Sequence, residues 1–166
     1  MKKIVVIGVG LIGGSVAISL KRNGFAGEII GVERDNRNAS YALNMGIIDR
    51  LMSMEEAVLY GDIILLAIPV EYIKELLPYI MNRMRIDSVV VDFGSTKYDI
   101  CKIADKMKNR FQYVATHPMA GTEHSGPSNA YAGMFVNKKV IICDKEKSDI
   151  KLLKIVEDML LSLQMK

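Results

Sequence analysis

Three glycines near the start of the chain, Gly8, Gly10 and Gly13, stand in GxGxxG spacing between the β-branched run Ile4 to Ile7 and an apolar pattern of helical period. Such a strand-to-helix turn suits phosphate. The first glycine permits the tight turn, the second lets a pyrophosphate approach the backbone, and the third lets the helix pack closely on the strand. The N–H groups at the start of that helix, around Leu11 and Ile12, and its positive dipole end face the same phosphates. Glu33 closes the apolar run Ile29 to Val32, about twenty residues after the third glycine, where a dinucleotide fold places the carboxylate that takes the adenosine ribose hydroxyls. A carboxylate there repels a 2′-phosphate and favours NAD over NADP. Arg34, beside it, is placed to pair with such a phosphate and pulls the other way.

Two further stretches carry reactive side chains. One is Asp92-Phe93-Gly94-Ser95-Thr96-Lys97; the other is His117-Pro118-Met119-Ala120-Gly121-Thr122-Glu123-His124-Ser125-Gly126, which opens a long loop. Oxidising a secondary alcohol needs a base that takes the O–H proton as hydride departs, and imidazoles, with an ordinary pKa near ~6.5, are largely neutral and fit for this at cellular pH. His117 is the candidate base. Ser95 reads as an N-cap for the helix that follows it. Lys97 is the one nearby positive charge among the strand-end residues for an anionic substrate, and His124 reads as an ordinary loop residue.

These side chains need a scaffold that brings them to one edge. Apolar runs predict strands over 4–7, 29–32, 63–68, 88–92, 111–115 and 139–143. Helical spacing falls between them: 11–23 with Gly24 as its stop, 36–44, 54–59, a helix from Val70 that Pro78 should kink or divide, one carrying Ile100, Ile103, Ala104 and Met107, and a closing helix from Ile150 to Leu163. Strands alternating with helices mean an α/β fold, a doubly wound and mainly parallel sheet in one domain spanning residues 1–166. Ligands of such sheets bind beyond the carboxyl ends of the strands, and those ends collect Gly8, Glu33, Pro69, Ser95 and His117.

Composition narrows the partners. Half of the 166 residues are hydrophobic and 25% are charged, with a formal net charge of +3, and the basic residues are dispersed. That describes a globular domain with a sizeable core, without the basic stripe a nucleic acid requires. No apolar run reaches the roughly 18 residues of a membrane span, and the chain enters its first strand without a leader, so a cytoplasmic location is expected. Cys101 and Cys143 lack CxxC spacing and a ligand set; they read as reduced thiols with a packing role, and no metal is expected.

The chain resembles the prephenate dehydrogenase family, within the wider 6-phosphogluconate-dehydrogenase-like Rossmann enzymes. The resemblance runs through GVGLIGGS, through Asp92-x-Gly94-Ser95-x-Lys97, and through HPMAGTEHSG, close to the family's HPxAGxExSG. It implies NAD-dependent oxidative decarboxylation of prephenate to 4-hydroxyphenylpyruvate in tyrosine biosynthesis. It also implies that His117 accepts the ring-hydroxyl proton, that Ser95 hydrogen-bonds to His117, and that Thr122 lies on the nicotinamide side with Glu123 at a gate. Family members continue into an all-helical domain that forms a homodimer and supplies an arginine for the substrate carboxylate. This chain is expected to be the cofactor-binding half, monomeric or weakly associating and poorly active alone. Arogenate or another β-hydroxy acid is the alternative substrate, and an NAD(H)-sensing module without chemistry is the alternative of a different class.

Overall fold

A computed structural model describes residues 1–166. In chain order the elements are β1 (Lys2–Ile7), α1 (Leu11–Arg22), β2 (Ala26–Val32), α2 (Asn36–Asn44), β3 (Arg50–Leu51), α3 (Met54–Tyr60), β4 (Ile63–Leu66), α4 (Val70–Met81), β5 (Val89–Asp92), α5 (Tyr98–Ala104), β6 (Tyr113–Pro118), β7 (Val140–Cys143) and α6 (Ile150–Ser162). The strands form one sheet in the order β3-β2-β1-β4-β5-β6-β7. All pairings are parallel except β6 with β7, which is antiparallel. The order reverses between β1 and β4, the switch point at which such sheets open a crevice.

Period-two alternation divides the central strands between two cores. Ile4, Val6, Ile63, Leu65, Val89 and Val91 face the side covered by α1 and α6. Val5, Ile7, Ile64, Leu66 and Val90 face the side covered by α3, α4 and α5. Both faces are covered, so β4 and the apolar part of β5 read as unbroken apolar runs. Each fully buried aliphatic side chain contributes about 1.5–3 kcal/mol.

Four details differ from the sequence expectations. A further two-residue strand, β3, completes the edge; both its residues are exposed, so it has no apolar alternation to reveal it. α4 runs unbroken through Pro78. Proline removes one ladder hydrogen bond there, but Leu77, Ile80 and Met81 around it are buried, and that packing holds the helix. α5 begins at Tyr98 with Lys97 in the N-cap position and no side-chain cap, so Ser95 is not its cap. β6 continues to Pro118, pairing His117 with Ile141 on β7. His117 therefore belongs to a strand, and the loop begins after it.

Helix α1 starts at the glycine turn as anticipated, and Gly24 takes a left-handed φ of 70° just past its C-cap, Asn23. Gly13 is where close packing is absolute: a Cβ there would lie 2.1 Å from the Gly8 carbonyl oxygen. At Gly10 nothing stands within 4 Å of the corresponding position. Gly13→Ala should cost at least about 1–3 kcal/mol, whereas Gly10→Ala should leave stability within about 0.5 kcal/mol. Denaturant midpoints of the two variants provide the comparison.

Candidate active site

The register of the sheet sets out the site. Val32, Ile7, Leu66, Asp92 and Ala115 lie opposite one another across five adjacent strands. Gly8 and Glu33 follow this row directly, and Pro69, Ser95 and His117 follow within three residues. All lie at the carboxyl ends of their strands, at one edge of the fold.

Across the switch point between β1 and β4 lies a cleft of about 440 Å³, lined in part by Gly8, Gly10, Glu33, Arg34, Asn38, Pro69 and Tyr72. No side chain caps α1 and no acidic residue occupies its first turn, so the helix start beside Leu11 and Ile12 is open to an anion. The free space over Gly10 belongs to the same opening. Glu33 is tied to the turn: one carboxylate oxygen accepts the Val9 N–H at 2.9 Å and the other the Asp35 N–H at 3.0 Å. A carboxylate has about four acceptor sites, so acceptor capacity is left for ribose hydroxyls. The Arg34 guanidinium lies 4.7 Å from the centroid of the Tyr72 ring, closing one wall. Tyr72 has no signal in the sequence, being one of several exposed positions of α4.

The second group surrounds the ends of β5 and β6. Ser95 is exposed and His117 half-buried, and their side chains are not hydrogen-bonded to one another. Beneath them lies a carboxylate with no exposure, Asp92. One of its oxygens accepts the Tyr113 hydroxyl at 2.6 Å; the other accepts the Gly94 N–H at 2.9 Å and the Lys97 ammonium. The Thr116 hydroxyl donates to the Asp92 carbonyl at 2.6 Å. These bonds shape the turn that presents Ser95 and join β5 to β6 just before His117. The Tyr113 hydroxyl is pushed far above its ordinary value, first by burial and then by the Asp92 charge.

Lys97 consequently differs from expectation. Its side chain is only 10% exposed and its charge pairs with Asp92, so it is a structural partner rather than a free cation for substrate. Asp92 and Tyr113 had no assigned role in the sequence; an acid closing the buried run Val89–Val91, five residues before a lysine, was the available signal. Thr122 and Glu123 lie exposed in the loop, where the Thr122 hydroxyl accepts the His124 N–H at 3.2 Å. The large cleft does not extend to Ser95 or His117.

Elsewhere the chain is chemically quiet. Burial pushes the Cys101 thiol up to about 11, in keeping with a packing role. No three His, Cys, Asp or Glu side chains converge as a metal site, and no helix is long and apolar enough to cross a membrane.

Residues 16–166 match the family model described as prephenate dehydrogenase, nucleotide-binding domain. The chain belongs to the prephenate dehydrogenase family. The match starts at Val16, past the glycine turn, so the turn's geometry is independent support. Prephenate dehydrogenase of Lactococcus lactis is 34% identical over 157 residues, which are 93% of this chain and 44% of that protein. The chain spans under half the length of the curated relatives it matches. Among solved structures, the prephenate dehydrogenase of A. aeolicus in complex with hydroxyphenyl propionate and NAD+ superposes with a TM-score of 0.87 at 32% identity, covering 100% of this chain and 58% of that one. Synechocystis arogenate dehydrogenase superposes at 0.88 with 28% identity, covering 99% and 58%.

The Asp92 network gives a graded expectation. Tyr113→Phe removes one hydrogen bond to a buried carboxylate and should cost about 1–3 kcal/mol. Lys97→Met leaves that carboxylate without its counter-ion and should cost more, about 3–5 kcal/mol. Urea unfolding of both variants should rank them in this order.

Proposed function

We propose that this chain is the cofactor-binding and proton-accepting half of an NAD-dependent prephenate dehydrogenase, forming one dinucleotide-binding domain over residues 1–166. The observation that carries the reading is the common strand edge, which sets an open phosphate turn and Glu33 on one side of the switch point and Ser95 and His117 on the other. The free space over Gly10 and the uncapped start of α1 fit a pyrophosphate. Glu33 suits unmodified ribose hydroxyls, and the Arg34 and Tyr72 wall suits an adenine.

When bound, NAD accepts the hydride. His117 takes the proton of the ring hydroxyl as hydride leaves the same carbon, and loss of carbon dioxide with aromatisation makes the step favourable. Ser95 orients the imidazole once substrate draws the two together, since such hydrogen bonds often tighten only in the complex. Strand β6 holds the His117 backbone through its pairing with Ile141, which fixes the direction from which the base acts. Thr122 borders the nicotinamide side and Glu123 the entrance. Prephenate is the substrate favoured by the family; the likeness to the Synechocystis enzyme makes arogenate the second candidate.

Calorimetric titration should show NAD binding more tightly than NADP, with Glu33→Ala eroding that preference. Equal affinities in the unmodified chain would remove the NAD assignment. In any preparation that oxidises prephenate, His117→Asn should lower kcat on the order of 10²-fold with NAD affinity nearly unchanged. Near-normal turnover by that variant would exclude His117 as the base, and parallel assays with arogenate decide between the substrates.

A further inference from the structure

Two residues of the glycine-rich start, Gly14 and Ser15, have no part in the phosphate turn, yet both are buried. Each meets the loop that follows His117. A Cβ on Gly14 would lie 2.8 Å from the Ala130 Cβ, so the absence of a side chain is what lets the loop settle on the helix. The Ser15 hydroxyl, fully buried, accepts the Tyr131 N–H at 3.1 Å across 116 positions of sequence. Pro127, just before these contacts, is also buried.

The loop is thus fastened at two places. It leaves β6 after Pro118, where the Met119 N–H still donates to the Lys139 carbonyl at 2.8 Å, and it is secured again on α1 at Ala130 and Tyr131. Residues Gly121 to Ser125 between these points are all exposed. On the way the loop passes the first turn of α1: a Cβ on Gly121 would come within 3.9 Å of Ile12 Cδ1.

We propose that Gly14 and Ser15 are positioning residues, which clamp the far end of the His117 loop to the phosphate-binding helix and hold its exposed middle beside the glycine turn, against a dinucleotide seated there. This rests on the cofactor reading above and adds to it a second set of residues in the same motif. The clamp ties the loop that carries Thr122 and Glu123 to the helix that faces the phosphates, so a dinucleotide gains contacts from both. A mononucleotide held in the Glu33 and Tyr72 cleft does not depend on the clamp.

The test uses the 166-residue chain with Ser15→Ala and Gly14→Ala, each checked for a cooperative melt. Ser19→Ala is the control: the Ser19 hydroxyl donates to the Ser15 carbonyl one turn along the same helix and makes no hydrogen bond to the loop. Amide hydrogen exchange should show lost protection at Tyr131 and its neighbours in the two clamp variants only. NAD affinity should fall about tenfold in Ser15→Ala and further in Gly14→Ala, while AMP affinity, followed by NMR titration, stays within about twofold in both. Equal losses for AMP and NAD, or unchanged NAD affinity in Gly14→Ala, would overturn the proposal, since the first is generic helix damage and the second an idle contact. An unmodified chain that binds neither nucleotide would overturn the cofactor reading instead. Exchange then decides the clamp alone, and unaltered protection of Tyr131 in Ser15→Ala would refute it.

Discussion

The parallel register around β1 is the constraint from which the rest follows. Parallel ladders space their hydrogen bonds evenly, so fixing Ile7 opposite Val32 and Leu66 fixes where each neighbouring strand ends. Residues as far apart in the chain as Gly8 and His117 then emerge at one edge without any direct bond between them. Successive side chains of β1, β4 and β5 enter opposite cores, so a slip of one residue would send each into the other core, where its size and shape do not match the packing. Packing inside the sheet therefore determines chemistry outside it.

Two carboxylates extend this order beyond the strands. Glu33 accepts N–H groups from the glycine turn and from Asp35 two residues on, and Asp92 gathers a backbone N–H, a phenol and an ammonium. They differ in environment. Glu33 lines an open cleft and keeps acceptor capacity for a ligand, whereas Asp92 is sealed and bonded at both oxygens by donors of the protein. The charge that lines the cleft stays half-exposed, while the one that shapes a turn is buried and compensated.

Much of this was legible in the sequence. The places of Gly8, Gly10, Gly13 and Glu33 follow from spacing, and those of His117 and Ser95 at the strand ends from motif, because each pattern reflects a local requirement of strand, turn or helix. Long-range partnerships left no such trace. That Tyr113 would find Asp92, Tyr72 would meet Arg34, or Ser15 would receive Tyr131 depends on how elements pack. Lys97 shows the cost of reading a charge without its partner. β3 was invisible for another reason: two exposed residues have no period, and only the neighbouring strand gives them an identity. The extension of β6 through His117 depended on β7 turning back antiparallel, which no feature of 113–118 announces.

Helix α1 carries adjacent glycines at its third and fourth positions. Each costs about 1 kcal/mol of intrinsic helix propensity relative to alanine, and at 12 residues the segment is too short to be stable alone. As an isolated peptide it would be largely coil. Its helicity comes from the strand beneath Gly13 and the loop against Gly14, so those residues cannot be replaced by better helix formers without losing the contacts that sustain the helix. In the native state the backbone amides of its first turn open as readily as the tertiary contacts around them permit.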